Sequence, residues 1–235
     1  MLIMNLREKM EKEADKNQAA LLQKFFKTGR GEYGEGDIFL GISVPRIRKV
    51  AKEFRNIGLE EVQEHLDSEI HEERLAALLI LIEQLKKASE DKKKEIFDFY
   101  LRNAKNNRIN NWDLVDLSCR FIVGEFLLDK ERIILYKLAT GNLWERRISI
   151  VSTYAFIRKG QLDDTIKISE LLLDDKHDLI YKAVGWMLRE TGKKDVRVLE
   201  GFLNKHYKIM PRTMLRYAIE KFPEKKRKAY LDGEV

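Results

Sequence analysis

The chain has a single cysteine, Cys119. It therefore cannot form a disulfide framework or a cysteine-based metal site within itself. Prolines number three and glycines 13 in 235 residues. An all-β protein built on many tight turns needs more of both, so the composition leans helical. No apolar run reaches 18 residues, which excludes a transmembrane helix. The opening MLIMNLREKMEKEADK turns charged within its first residues and has no apolar core, so no secretory leader is expected. Histidines stand only at 65, 71, 177 and 206, none in H-x-H or H-E-x-x-H spacing. They offer no zinc site and no Ser/His/Asp or Cys/His constellation. P-loop and kinase motifs are also missing. The expectation is a soluble, reduced, cytoplasmic and mostly helical protein.

Charged residues, by contrast, are abundant at 36%, beside 44% hydrophobic residues. This is too apolar for a disordered chain. The net charge of +6 is unevenly placed. Twelve Lys/Arg against four acids give residues 193–228 a net +8, which leaves −2 for the rest. A basic stretch of 36 residues on a near-neutral body suits an anionic partner, nucleic acid first. A solvated tail that aids solubility fits the same count.

Helical periodicity runs through most of the chain. LAALLILIEQL, within 71–88, is apolar nearly all round and suits a helix buried on several sides. Leu114, Leu117, Phe121 and Gly124 recur at spacings of three and four. Asn111, Asp163 and Asp178 read as N-caps, and Gly160 and Gly192 as C-terminal stops. Pro211 reads as a first-turn proline. No Ser/Gly/Pro linker divides the chain, so one domain over 1–235 is expected.

Four segments share a basic residue followed by an apolar helix: EERLAALLIL, WERRISIVSTY, IYKAVGWMLRE and TMLRYAIEKF. Their basic residues are Arg74, Arg147, Lys182 and Arg216, at spacings of 73, 35 and 34. The first interval is close to two of the others, and a unit near Asn110 fills the gap. A period of this size, with two helices per unit, is the signature of an α-solenoid. Equivalent positions of stacked units line up, so these four residues would form a positive stripe on the concave face. A helix bundle with chance spacing is the plainer alternative.

The segment TGRGEYGEGDIFLG, from Thr28 to Gly41, holds five of the glycines. It formally matches G-x-G-x-x-G. A dinucleotide site is rejected, because the match follows a helix rather than a strand and no helix opens behind it. Glu32, Glu35 and Asp37 would also repel phosphates. A glycine-rich loop or short β-hairpin over about 28–40 is expected, with Lys27 and Arg30 on its first arm. It could be a finger that touches a partner or a long connection to the helix at Pro45.

The three tryptophans fall one per unit, at 112, 144 and 186. Trp112 and Asp116 are four apart and share a helix face. Gly185, beside Trp186, allows close helix approach. Core packing is the plain reading for each tryptophan alone, and a helix-start charge is the plain reading for Asp116. Taken together, aromatic faces, a carboxylate and arginines can hold a cationic group next to a phosphate backbone.

NNWDLVDLS, LWERRISI and KAVGWMLRE, with FLGISVPRIR upstream, resemble the HEAT-like-repeat DNA alkylation repair proteins, the AlkD-type alkylpurine DNA glycosylases. The resemblance runs from about Phe25 to Tyr230. It implies an all-α, right-handed solenoid of HEAT-like repeats that cradles duplex DNA. It also implies excision of cationic 3- or 7-alkylated purines with no metal or cofactor, and a monomer is expected. Carried over by position, the catalytic aspartate falls on Asp116. The aromatic walls fall on Trp112 and Trp186, and the backbone-gripping arginine on Arg147. The DNA-binding set expected from charge and period is Arg74, Arg147, Lys182 and Arg216, with Lys27 and Arg30 on the loop. The family also contains members that bind branched or distorted DNA without excision, and the loop would suit that role. A protein-binding solenoid is a third reading.

Overall fold

The computed structural model describes residues 5–235. Among them, all the named elements are helices, fifteen of them α and one a π-helical turn. No described helix is long and apolar enough to cross a membrane. The chain divides into two compact units, one ending at Ser118 and one running from Cys119 to Val235.

The N-terminal unit holds α1 (Leu6–Lys12), α2 (Lys16–Phe25), α3 (Val44–Glu53), α4 (Leu59–Leu66), α5 (His71–Leu85), α6 (Glu90–Lys105) and α7 (Trp112–Cys119). Its axis is α5, in which every residue from His71 to Ile82 is buried. Helices α3, α4 and α6 pack around it. The run that is apolar on all sides is thus covered on several sides, at roughly 1.5–3 kcal/mol per large side chain. By contrast, α2 has no buried residue of its own, and Leu21 and Phe25 lie exposed on it.

The C-terminal unit holds the π turn (Arg120–Gly124), α8 (Ile133–Leu138), α9 (Leu143–Ser152), α10 (Tyr154–Arg158), α11 (Asp163–Leu171), α12 (Asp178–Lys194), α13 (Val196–His206), α14 (Arg212–Ala218) and α15 (Glu224–Asp232). The four repeat segments fall on α5, α9, α12 and α14. Within this unit α8 packs on α9 and α11 on α12, while α12 also packs against α9 and α14. This is the all-helical, helical-repeat arrangement that the period requires. Gly185 makes the α12–α14 contact possible, as expected: a Cβ there would sit 2.5 Å from both the Met214 carbonyl oxygen and Tyr217 Cβ.

Several helix boundaries differ from the sequence reading. Asn111 does precede α7, and its side-chain oxygen accepts from the Trp112 N–H at 2.8 Å. Asp163 and Asp178 are instead the first residues of their helices. His177 caps α12, its Nδ1 accepting from the Leu179 N–H at 3.1 Å. Gly160 takes positive φ just past α10 and ends it. Gly192 does not stop α12, which continues to Lys194. The break falls at Asp195, whose carboxylate caps α13 through the Arg197 N–H. Pro211 stands at the N-cap of α14, one place before the first turn.

The glycine-rich segment is a loop of turns rather than a hairpin. Its own acids close it locally. Glu32 accepts from the Gly29 N–H and Glu35 from the Gly31 N–H, at 2.9 and 2.8 Å. With its backbone held this way it has no second arm to pair with. The isolated β-bridge, between Ile38 and Ile70, pins the end of the loop to the start of α5.

Candidate active site

Helix α7 carries Trp112 and Asp116 on one face, both half-buried. They line the same cavity of about 380 Å³ within the N-terminal unit. Its wall is largely apolar and includes Phe25, Phe26, Phe39 and Ile47. The Trp112 ring stacks on Phe26, with centroids 5.2 Å apart and planes 16° apart. It also meets Phe25 edge-on at 6.0 Å. Phe39 stacks on the far side of the row, 5.0 Å from Phe26, and the His71 imidazole lies 4.6 Å from Phe39. Trp112 is therefore the half-buried end of a stacked aromatic row, and its orientation is set by the rings against it.

The start of α7 is anchored by a buried polar cluster. His71 Nε2 donates to Asp113 at 2.8 Å, and His71 Nδ1 donates to Asp37 at 3.0 Å. Arg74 Nη2 donates to the other Asp37 oxygen at 2.6 Å. Asn111 Nδ2 donates to Asp37 at 3.1 Å. Burial draws the His71 pKa down, but the carboxylates of Asp113 and Asp37 outweigh it and raise it to about 9. His71 is thus an imidazolium at neutral pH and can donate from both nitrogens. Burial raises the Asp37 pKa, but hydrogen bonding from His71 and the nearby Arg74 charge reverse this and leave it below the usual carboxylate range. Two anions and two cations compensate one another, which is the condition for keeping charge away from water.

Sequence reasoning did not find this cluster. Asp37 is 34 residues from His71, and Asp113 is 42 from it. No motif links them: Arg74 is marked in the sequence only as a repeat position, Asn111 only as an N-cap and Asp37 only as a charge of the glycine-rich loop.

Arg74, expected among the phosphate contacts, is placed inside this cluster. Its side chain is 6% exposed, held by Asp37 and by the Ser68 carbonyl oxygen at 2.9 Å. A position that is basic in sequence is here one half of a buried ion pair.

The remaining candidates in this unit, Lys27 and Arg30, are exposed on the loop. Lys27 has φ +51°, and its carbonyl oxygen accepts from the Gly34 N–H at 3.2 Å.

In the C-terminal unit Arg147 is buried and donates from Nη1 to the Leu179 carbonyl oxygen. Trp186 is half-buried, its ring 6.1 Å from that of Tyr154. The Arg120 guanidinium lies over the rings of Phe121 and Tyr154, at 4.4 and 5.5 Å. Tyr154 and Arg120 were not singled out from the sequence. Lys182 pairs with Asp178 at 2.6 Å and stays partly exposed. Arg216 is exposed on α14. Trp144 is buried in the core, which is the plain reading for a tryptophan.

The fold is an all-helical repeat, and α7 carries an aromatic and a carboxylate side chain on one face. A family profile described as DNA alkylation repair enzyme matches residues 6–222, and the chain belongs to that family. Its role is in DNA repair, with DNA as partner. Among solved structures, one described as "Predicted DNA alkylation repair enzyme from Enterococcus faecalis" shares the fold at TM-score 0.66 and 17% identity, over 90% of this chain and 98% of that one. None of the curated proteins compared with the chain matches it.

Proposed function

We propose that the protein is a monofunctional DNA glycosylase that excises cationic 3- or 7-alkylated purines from duplex DNA. The observation that carries this reading is the pairing of Trp112 and Asp116 on one face of α7, with the Trp112 ring held in place from below. An alkylated purine of this kind is already positively charged. When its bond to C1′ breaks, the electron pair goes to the base, which leaves neutral. The sugar becomes oxocarbenium-like, and a water molecule adds at C1′ and gives up a proton. No strong general acid is required. A preorganised carboxylate opposite the developing positive charge stabilises the sugar and orients the water. The Trp112 face favours the same charge. By resemblance to the family, Trp186 is a further aromatic contact for the DNA and Arg147 a grip on its phosphate backbone.

The test is a single-turnover incubation with duplex DNA carrying one 7-methylguanine, scored for free base. Release of the base without strand cleavage supports the reading. If no base is released, but junction or bulged DNA binds more tightly than duplex, the protein belongs with the members that bind distorted DNA. The exposed Lys27 and Arg30 favour that second reading.

Phosphate contact has its own signature. Of the basic repeat positions, Arg216 is the most open, so Arg216→Ala should lower the slope of log affinity against log salt by about one unit and leave lesion preference unchanged. Binding titrations at several salt concentrations measure this. An unchanged slope would remove Arg216 from the interface.

A further inference from the structure

We propose that His71 is a positioning residue: held between Asp37 and Asp113, it fixes the start of α7 and the plane of the Trp112 ring, and so places Trp112 and Asp116 for the lesion. The placing of Asp116 for chemistry rests on the excision reading above. The placing of Trp112 does not.

Two separate routes lead from His71 to Trp112. The first is polar. His71 Nε2 holds Asp113, the residue after Trp112, at 2.8 Å. The other oxygen of Asp113 accepts from the Leu114 N–H at 2.8 Å. Asp37, on the opposite side of the imidazole, also holds Asn111, and Asn111 accepts from the Trp112 N–H. The residues immediately before and after Trp112 are thus both tied to the same imidazole. The second route is through rings. His71 lies 5.0 Å from Phe26, and Phe26 stacks on Trp112. Moving the imidazole therefore disturbs both the backbone under Trp112 and the ring against which it rests.

The loop is part of the same assembly. Asp37 closes it, the Asp37 N–H donates to the Gly34 carbonyl oxygen at 3.1 Å, and a Cβ at Gly34 would lie 3.6 Å from Asn111 Nδ2. Lys27 and Arg30 are carried by a segment whose end is bonded to the clamp that sets α7.

The groups facing His71 are Asp37 from the loop, Asp113 and Asn111 at the start of α7, and Arg74 on its own helix. The imidazolium donates at both ends, whereas a neutral ring can donate at only one. Loss of the proton must therefore release Asp37 or Asp113. His71 titrates near pH 9, so the clamp is closed below that pH and opens above it.

Protein labelled with 5-fluorotryptophan reads this directly. Its fluorine resonances report the three tryptophans, and Trp112→Phe assigns the one from Trp112. We expect the Trp112 resonance to shift with a midpoint near pH 9 and the Trp144 resonance not to follow it. In Asp37→Asn that midpoint should fall, because one anion facing the imidazolium is gone. At neutral pH His71→Leu should move the Trp112 resonance and slow single-turnover base release by roughly tenfold, with DNA affinity within threefold of wild type. Where His71→Leu does not fold, the wild-type titration and Asp37→Asn carry the test. A Trp112 resonance indifferent to pH and to Asp37→Asn would overturn the proposal. So would a folded His71→Leu that releases base at the wild-type rate. If wild type releases no base while Trp112 titrates as expected, the excision reading fails and the clamp on Trp112 stands.

Discussion

Asp116→Asn should reduce release of 7-methylguanine by about 10²-fold or more, while DNA affinity stays at the wild-type level or rises slightly. The asparagine keeps the shape of the side chain and removes its charge. On the proposed mechanism that charge acts where the sugar turns positive, which happens only in the transition state. The loss therefore falls on the chemical step, and its size is that of one preorganised electrostatic group. On the same reading the carboxylate faces a polyanion in the ground state, so removing it would not weaken binding by Coulomb attraction. Single-turnover rates and equilibrium binding on the same duplex separate the two effects. Equal release rates would remove Asp116 from the mechanism. A parallel loss of rate and affinity would assign it to binding.

Glu72→Ala should destabilise the N-terminal unit by about 3–5 kcal/mol, the sum expected when several buried donors lose a charged acceptor. Glu72 is 2% exposed. One of its oxygens accepts from the N–H groups of Gly41 and Ile42, at 2.8 and 3.2 Å, and the other from the Leu40 N–H at 3.0 Å. The carboxylate is the common acceptor for three consecutive amides in the approach to α3. Gly41 has φ +84°, and a Cβ there would lie 2.1 Å from the Asp15 carbonyl oxygen. The chain passes too close to its neighbour for any other residue, and the bend aims three N–H groups inward. Alanine leaves them without an acceptor. Glu72→Gln keeps one acceptor oxygen and should fall between alanine and wild type. Urea unfolding, compared at constant m, gives the values. A loss under 1 kcal/mol for alanine would mean that water or a shifted backbone satisfies these amides. Because Phe39, Ile42 and Ile47 line the cavity beside Trp112, the same substitution should also loosen that wall.

Much of this protein was legible from local pattern. The all-round apolar run of α5 required neighbours on several sides, and α3, α4 and α6 supply them. The four basic-then-apolar segments marked four of the helices that carry the packing. Trp112 and Asp116 share a face because residues four apart on a helix always do. Gly185 announced a close crossing because only a residue without a side chain allows one. These signals are short-range or periodic, and a chain carries them in its order of residues.

What the order of residues could not carry was pairing at a distance. Arg74 fits the basic repeat as well as Arg216 does, yet one is buried against Asp37 and the other is exposed. The difference lies in which side chain the fold brings opposite each one. His71 looked like an isolated histidine until two carboxylates from distant segments arrived at its two nitrogens. Nothing in the order of residues singles out Glu72, and it is the acceptor for a bend some thirty residues away. Helix type, repeat length and the face bearing Trp112 and Asp116 were fixed by sequence, because they depend on neighbours within a few turns. The clamp behind that face was decided only by tertiary structure, because a buried charge takes its meaning from the partner that replaces water around it.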